Sequence, residues 1–318
     1  MNTVTPNEIA LLAGSQSAGL AKSVARELQL KVWPVRNELF PDGERHVQLE
    51  APVRRMDVFV LQSTPPPSGE SVLELLLLAD AARRAGAGRI IAVVPYFGYA
   101  RQDRRKREGE PVGLAVVTEM LRQANLDRVV AVDLHSSSTE GCFPCPVEHL
   151  SALPLLADAA RTRLGKDAVV VSPDLGAARL ARECGRRLGL PVALVHKTRL
   201  SGREVAVEEV AGEVKGRLPF LIDDMISTGG TIAAALGALA AKGARPSAVV
   251  AATHGLFAPG SGGYLRSSGI ATLLATDSVE PLEDPGPVLE RIPLAPLLAD
   301  AILRLHEGRP LGDLLSGR

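Results

Sequence analysis

The chain has 318 residues, and its 36 basic side chains balance its 36 acidic ones, so the formal net charge is zero. A neutral chain has no overall field that attracts a polyanion, and we therefore expect no nucleic acid among its partners. Hydrophobic residues make up 46% of the sequence, charged residues 23% and aromatic residues 3%, which indicates a globular protein and excludes collagen-like and disordered classes.

The sequence contains no pattern typical of a targeting or membrane segment. The first apolar run, residues 9–13, is too short for a signal peptide, and no run approaches the ~18 apolar residues of a spanning helix. The three cysteines, Cys142, Cys145 and Cys184, cannot all pair with one another, and we interpret the Cys142/Cys145 spacing as structural. We expect a cytoplasmic protein with no membrane partner.

Short apolar runs alternate with longer amphipathic stretches along the chain. The apolar runs predict strands at 9–13, 58–62, 90–94, 128–132, 168–171, 192–195, 220–222, 248–252 and 271–274. The amphipathic stretches predict helices at 18–28, 70–85, 113–124, 153–164, 177–188, 231–242 and 295–305. This alternation predicts an α/β fold of mainly parallel, doubly wound sheets flanked by helices.

The pattern is interrupted about halfway along the chain, between Pro144 and Pro154. We expect an N-terminal α/β domain at 1–150 and a C-terminal one at 151–318, and we leave open that the last helix packs back on the first domain. The charged, β-branched stretch 198–217 predicts an exposed hairpin or flap that follows a core strand.

A basic loop follows the predicted strand at 90–94. Five cations lie within seven residues: Arg101, Arg104, Arg105, Lys106 and Arg107. On a neutral chain, such a cluster is either a local clamp for a polyphosphate or a solvated basic loop, and the charge run alone does not separate these alternatives.

The strongest functional signal is the segment Phe220-Leu-Ile-Asp-Asp-Met-Ile-Ser-Thr-Gly-Gly-Thr231. An apolar strand ends in two carboxylates, and a turn with two glycines then opens a helix. Glycines let backbone N–H groups approach a phosphate, and the helix N-terminus adds partial positive charge. The predicted monophosphate cradle consists of Ser227, Thr228, Gly229, Gly230 and Thr231. Asp223 and Asp224 suit the vicinal hydroxyls of a ribose whose 5-phosphate lies in the cradle.

This segment resembles the phosphoribosyl diphosphate-binding motif of the phosphoribosyltransferase fold. Further segments resemble the ribose-phosphate diphosphokinases, also called ribose-phosphate pyrophosphokinases: Phe40-Pro-Asp-Gly-Glu44, Pro95-Tyr-Phe-Gly-Tyr-Ala-Arg-Gln-Asp-Arg-Arg105, Asp133-Leu-His135, Val171-Ser-Pro-Asp174 and Lys197-Thr-Arg199. The resemblance extends from about Leu11 to the C-terminal helix and implies two phosphoribosyltransferase-type domains.

The resemblance also implies a role for each of these segments. It implies that ATP is bound by Phe40, Asp42, Gly43, Glu44, Arg101 and Gln102. It further implies that Mg²⁺ is held at His135 and Asp174 and that Lys197 and Arg199 are the catalytic pair. In this family the loop at Phe40 binds the adenine of ATP held mainly by a neighbouring subunit. A homo-oligomer built from dimers, commonly a hexamer, is therefore implied.

The implied reaction is attack by the C1 hydroxyl of ribose 5-phosphate on the β-phosphorus of MgATP, which gives 5-phosphoribosyl 1-diphosphate and AMP. Two alternatives are a catalytically silent homologue that binds synthase subunits and a phosphoribosyltransferase. Retention of Arg101, His135, Lys197, Arg199 and Asp223 argues against the first. A phosphoribosyltransferase needs no second α/β half with an ATP loop, so the presence of such a half argues against that alternative.

Some segments depart from the usual bacterial pattern of the family. Lys197-Thr-Arg199 and Ile226-Ser-Thr-Gly-Gly-Thr231 resemble the archaeal branch instead. The C-terminal segment 312–318 lacks the Ser- and Phe-containing tail that is linked to allosteric control in other members. These departures leave open the nucleotide preference and any control by ADP or phosphate.

Overall fold

A computed structural model describes residues 8–199, 206–286 and 288–315, without the side chains of 137, 197–199 and 206–208. The chain divides into two compact units. The first contains residues up to 151 together with those from 294 onward, and the second contains residues 152–293.

The first unit is built on a five-stranded sheet in the order β1-β4-β5-β6-β7, in which every neighbouring pair is parallel. Its elements are β1 (Ile9–Ala13), α1 (Ala18–Glu27), β2 (Val35–Leu39), β3 (Arg45–Leu49), β4 (Asp57–Leu61), α2 (Ser68–Arg84), β5 (Arg89–Val94), α3 (Gly113–Arg122), β6 (Arg128–Val132), β7 (Val147–Leu150) and, from the C-terminal segment, α8 (Ala295–Glu307). Strands β2 and β3 form a separate antiparallel ribbon.

The second unit is built on a seven-stranded sheet in the order β10-β9-β8-β11-β12-β13-β14. Its elements are α4 (Leu153–Arg161), β8 (Ala168–Ser172), α5 (Ala178–Leu188), β9 (Val192–Arg199), β10 (Ala206–Ala211), β11 (Leu218–Ile226), α6 (Gly230–Ala241), β12 (Ala248–Gly255), α7 (Ser261–Ser267), β13 (Ile270–Thr276) and β14 (Leu289–Ile292). Neighbours are parallel except for the antiparallel pair of β9 and β10.

The central strands are buried on both faces, which explains their apolar sequences. Every residue of β4, β8 and β12 is buried. Parallel strands covered by helices on both faces have this near-continuous hydrophobic pattern. The predicted fold class, parallel α/β sheets flanked by helices, is confirmed.

The elements that the sequence did not predict lie at edges or outside the main sheets. They are β2, β3, β7, β14 and the short helix α7. Their burial is partial: β2 and β14 contain no fully buried residue. Continuous apolar runs, the signal that marks a buried strand, are therefore missing from them.

The C-terminal segment belongs to the first unit, where α8 packs against α1. Leu298 and Ile302 of α8 are fully buried. Beyond the helix, Leu315 forms an antiparallel bridge with Leu150 at the edge of β7. None of the helices in the described ranges is long and apolar enough to cross a membrane.

Candidate functional site

The predicted phosphate cradle joins the end of β11 to the start of α6. Gly229 is the N-cap of α6 and has φ +78°, in the left-handed region that favours glycine. A Cβ at Gly229 would lie 3.1 Å from a methyl carbon of Leu265 on α7. The N–H of Ala258 donates to the carbonyl of Ser227 at 2.9 Å, so the loop after β12 supports the turn. The first N–H groups of α6 have no partners within the helix, as at every helix N-terminus.

Asp223 and Asp224 lie inside β11, which continues to Ile226 rather than ending at 222 as the sequence predicted. Both are half-buried, and the N–H of Asp224 donates to Oδ1 of Asp223 at 2.9 Å. Burial, followed by the negative charges of Asp224 and Asp174, raises the pKa of Asp223 well above its ordinary value. The site therefore holds more carboxyl groups than can easily ionise together, and such a group of acids suits hydroxyl donors or a cation.

Asp174 follows β8, the strand next to β11, so it lies at the same carboxyl edge as the cradle. Its Oδ1 accepts the N–H groups of Gly176 at 2.8 Å and Ala177 at 3.2 Å, just before α5 begins. Asp174 thus fixes the turn that leads into α5, whose N-cap is Ala177. In the described part of the chain, no three His, Cys, Asp or Glu side chains are grouped as a ready metal site.

Lys197 and Arg199, the predicted catalytic pair, belong to β9, and the structure describes their backbone. Their backbones pair with Glu208 and Ala206 of β10 in an antiparallel ladder. Their side chains lie outside the described residues, as does the connection 200–205 of the predicted flap.

In the first unit, Arg101 and Gln102 follow β5 and are exposed. The N–H of Gln102 donates to the carbonyl of Tyr99 at 2.8 Å, and its own carbonyl accepts from Leu114 of α3 at 3.2 Å. A Cβ on Gly113 would lie 2.5 Å from Oε1 of Gln102. Glycine at the start of α3 therefore leaves room for this side chain.

The basic loop is held by hydrogen bonds to Glu110, an acidic residue near its end. Oε2 of Glu110 accepts the N–H groups of Lys106 at 2.7 Å and Arg107 at 3.0 Å. Arg104, Arg105, Lys106 and Arg107 are exposed. This arrangement fits the rim of a site more closely than a formed clamp.

Buried hydroxyl groups, which the sequence did not single out, hold the loop after β5 from behind. The N–H of Tyr96 donates to Oγ of Ser63 at 3.2 Å, and the N–H of Gly98 donates to Oγ1 of Thr64 at 2.7 Å. Ser63 in turn donates its N–H to Oγ of Ser17 at 2.8 Å. Three loops at the carboxyl ends of β1, β4 and β5 are thereby joined.

Phe40, Asp42, Gly43 and Glu44 form the tip of the β2–β3 ribbon. Oδ1 of Asp42 accepts the N–H of Glu44 at 3.1 Å, and Gly43 has φ +92°. Phe40 stacks on His46 with 5.3 Å between ring centroids, yet 44% of Phe40 is exposed. The tip is thus a formed turn that presents an aromatic ring to solvent.

His135 follows β6 and is exposed. Before it, Asp133 is buried with φ +39°, and the N–H of Leu134 donates to Nε2 of His149 on β7 at 2.8 Å. Nδ1 of His149 is 3.1 Å from Oε1 of Glu140. The sequence offered no context for His149, since its contacts come from the neighbouring strand, but it supports the loop that presents His135.

The second unit brings together the cradle, Asp223, Asp224 and Asp174 at one sheet edge. The first unit carries Arg101, Gln102 and His135 on loops that follow adjacent parallel strands, and it carries Phe40 to Glu44 on the ribbon.

Two family models match the chain. The N-terminal domain of ribose phosphate pyrophosphokinase matches residues 9–124, and the phosphoribosyl transferase domain matches residues 155–274. Among curated proteins, a ribose-phosphate pyrophosphokinase of Corynebacterium efficiens is 40% identical over 311 residues, which cover 96% of this chain and 95% of that protein. A ribose-phosphate pyrophosphokinase of Streptomyces coelicolor is 39% identical over 314 residues, with 96% of each chain covered.

A solved structure has the same fold over nearly the whole chain. The crystal structure of phosphoribosylpyrophosphate synthetase from Mycobacterium smegmatis superposes with a TM-score of 0.89 at 38% identity, and the match covers 95% of this chain and 100% of that one.

Proposed function

This chain belongs to the ribose-phosphate pyrophosphokinase family, and from that membership we propose that it converts ATP and ribose 5-phosphate into 5-phosphoribosyl 1-diphosphate and AMP. The C1 oxygen of the sugar bonds to the β-phosphorus of ATP, the bond from that phosphorus to the α,β-bridging oxygen breaks, and the hydroxyl proton passes to solvent. The observation that carries the proposal is the Gly229 turn with two carboxylates beside it, in a chain whose first unit carries the segments 40–44 and 95–105 that resemble the family's ATP-binding loops.

Ribose 5-phosphate fits the second unit. We propose that the N–H groups and hydroxyls of residues 227–231 hold its phosphate, because a helix N-terminus with a glycine turn favours an anion. Asp223 and Asp224 accept hydrogen bonds from the ribose hydroxyls. The raised pKa of Asp223 supports this role, since hydroxyl donors relieve the repulsion between the two carboxyls.

ATP fits the first unit. We propose that Arg101 and Gln102 bind its phosphate side. We also propose that Phe40 stacks on the adenine of an ATP held mainly by a neighbouring subunit, with Asp42 and Glu44 as hydrogen-bond acceptors. The exposed ring of Phe40 and the formed turn beneath it support the second assignment.

Charge neutralisation is the main chemical task in such a transfer. We propose that Lys197 and Arg199 stabilise the negative charge on the transferred group and on the departing AMP. Mg²⁺ favours oxygen ligands, and the crowded carboxyls around Asp223 suit a dication, so we propose that Asp174 helps to hold the ion delivered with ATP. We propose that His135 also helps to hold it, partly through the nucleotide or through the ion's water shell. When bound, the ion offsets phosphate charge.

Two properties follow from the family rather than from the contacts described above. We propose a homo-oligomer assembled from dimers, in which the ribbon tip of one subunit serves the ATP of another. We also propose that the enzyme works in the cytoplasm, where its three free cysteines stay reduced.

The decisive experiment incubates the purified protein with MgATP, ribose 5-phosphate and inorganic phosphate and measures AMP by chromatography. We expect AMP and 5-phosphoribosyl 1-diphosphate in equal amounts. Lys197→Met is the matched variant: turnover falls by about 100-fold or more, while ribose 5-phosphate affinity stays near that of the wild type, because the cation acts in the transition state. Absence of AMP from the wild-type reaction overturns the proposed function.

A further inference from the structure

Glu74 is a buried carboxylate that none of the proposed roles uses. It lies in the middle of α2 and is 1% exposed. A carboxylate taken out of water is costly unless charged or polar partners satisfy it. Its partners therefore indicate what the buried acid is for.

Donors from three other segments converge on Glu74. Ser15, after β1, donates its N–H to Oε1 and its hydroxyl to Oε2, both at 2.6 Å. Asn37 of β2 donates its amide to Oε1 at 2.5 Å, and Nη1 of Arg45 on β3 is 3.6 Å from Oε2. Arg45 also donates to Oδ1 of Asn37 at 2.8 Å. We call Glu74, Ser15, Asn37 and Arg45 the Glu74 clamp.

The clamp acts on an element that belongs to neither of the two main sheets. The β2–β3 ribbon has no ladder to the five-stranded sheet, and an isolated two-stranded ribbon is marginally stable in water. Its base is fixed by Trp33, whose backbone N–H donates to the carbonyl of Leu11 at 2.8 Å. The packing of Val35, Val47 and Leu49 against the core also fixes it.

Toward the tip, the apolar support ends. Leu39 is 58% exposed and Phe40 is 44% exposed. Asn37 and Arg45 lie between the packed base and this exposed tip, and Arg45 pairs directly with Leu39 across the ribbon. The polar contacts to Glu74 thus lie where the apolar support of the ribbon ends.

On the basis of the proposed function, we propose that Glu74 is a positioning residue for the nucleotide: it fixes the outer β2–β3 ribbon to α2 and so sets the location of Phe40 to Glu44. The carboxylate never touches ATP. It reduces the freedom of the loop that does, so a nucleotide meets a preformed site rather than one that must order on binding.

The test compares Glu74→Gln with Glu70→Gln, which alters an exposed carboxylate one turn earlier on α2. Glutamine has nearly the same shape but lacks the charge and one acceptor. We expect the KM for ATP to rise about tenfold in Glu74→Gln, with kcat and the KM for ribose 5-phosphate within about threefold of the wild type. Glu70→Gln leaves all three unchanged.

Hydrogen exchange supplies a readout that does not depend on activity. In Glu74→Gln, we expect amides of residues 35–49 to exchange at least about tenfold faster, while those of 128–132 in β6 keep their protection. Asn37→Ala serves as a milder variant, because Glu74 then keeps its Ser15 donors, and we expect the same pattern at smaller size.

The outcomes separate this inference from the proposed function. If the wild type forms no AMP, the proposed function fails, whereas ribbon exchange still tests the clamp. Unchanged exchange at 35–49 in either folded variant overturns the inference. So does an equal rise of both KM values, or a loss of thermal stability with no change in the KM for ATP, since those results describe an ordinary core residue.

Discussion

Gly229 shows how one residue governs the cradle. Its left-handed φ of +78° is costly for any residue with a Cβ, and Leu265 leaves no free volume beside it. Gly230, one position later, has a φ outside that region, and a Cβ at that position would meet no neighbour closer than 3.7 Å. The two glycines therefore differ in purpose, although they are adjacent in sequence.

We predict that Gly229→Val abolishes detectable binding of ribose 5-phosphate, because the branched side chain strains the turn and displaces the N–H groups. Thermal stability falls as well, by about 1–3 kcal/mol. Gly230→Ala is the control, with a melting temperature within about 2 °C of the wild type. Calorimetry measures both, and unchanged affinity in Gly229→Val contradicts the cradle.

A second residue-scale prediction concerns Asp223, whose pKa is raised by burial and then by the charges of Asp224 and Asp174. A carboxyl with a raised pKa in the folded state binds its proton more tightly there than in the unfolded chain. Its contribution to stability is complete below the ordinary pKa of 3.8 and is lost as pH rises through the raised value.

Asp223→Asn removes this pH-dependent loss of stability, because asparagine does not ionise. We expect its melting temperature to exceed that of the wild type at pH 8, by about 2–4 °C for each kcal/mol relieved, and the difference to shrink toward pH 4. Its affinity for ribose 5-phosphate falls. Thermal scans across pH check the sign of this stability difference. A variant less stable than the wild type at pH 8 shows that the ionised Asp223 does not destabilise the fold.

At the scale of elements, each functional loop depends on the strand beside it. The loop after β6 presents His135, but its buried Leu134 N–H is satisfied by His149 on β7. The loop after β5 is held by Ser63 and Thr64 after β4. A parallel sheet therefore aligns the strand ends, while side chains from neighbouring strands set the loops.

For the His135 loop, we predict that His149→Leu reduces stability by about 1–3 kcal/mol, because a buried N–H loses its acceptor. Turnover of AMP formation falls in parallel as the loop relaxes. His149→Gln keeps an acceptor oxygen and recovers most of both. Thermal melting and steady-state kinetics of the pair check this, and equal behaviour of Leu and Gln excludes the hydrogen bond as the cause.

At the scale of the whole molecule, the chain is not two consecutive halves. After the second unit ends, residues from 294 onward complete the first. Arg89 of β5 donates to the carbonyl of Leu305 at 3.3 Å, and Nδ1 of His306 lies 2.7 Å from Oδ2 of the buried Asp57. Apolar packing and polar contacts around the buried Asp57 carboxylate thus attach α8 to the first unit.

We predict that Leu298→Ala destabilises the first unit by about 2–5 kcal/mol, because it leaves a cavity in a fully buried contact. Leu303→Ala on the same helix is the control: Leu303 is 36% exposed, and we expect a cost below about 1 kcal/mol. Hydrogen exchange of β1 and β4 locates the effect. Equal costs for the two substitutions contradict the packing of α8 described above.

Much of the fold and site was predictable because its signals are local. Buried parallel strands have continuous apolar sequences, so β11 was predicted directly. The turn at Ser227 to Thr231 was singled out by its order of glycine and hydroxyl residues, and its role as a phosphate cradle stays a prediction. The β2–β3 ribbon was missed, because its half-exposed strands carry charged residues and contain no apolar run.

The sequence by itself determined the α/β architecture, the family and the residues whose chemistry is intrinsic: a glycine turn, paired carboxylates and clustered cations. Only the tertiary structure decided which residues support them. Leu265 lies beside Gly229, His149 behind Leu134, and Glu74 beneath the ribbon, each from a different segment of the chain. Such contacts arise because folding brings distant positions together, and no local pattern of residue types records which donor will meet which acceptor.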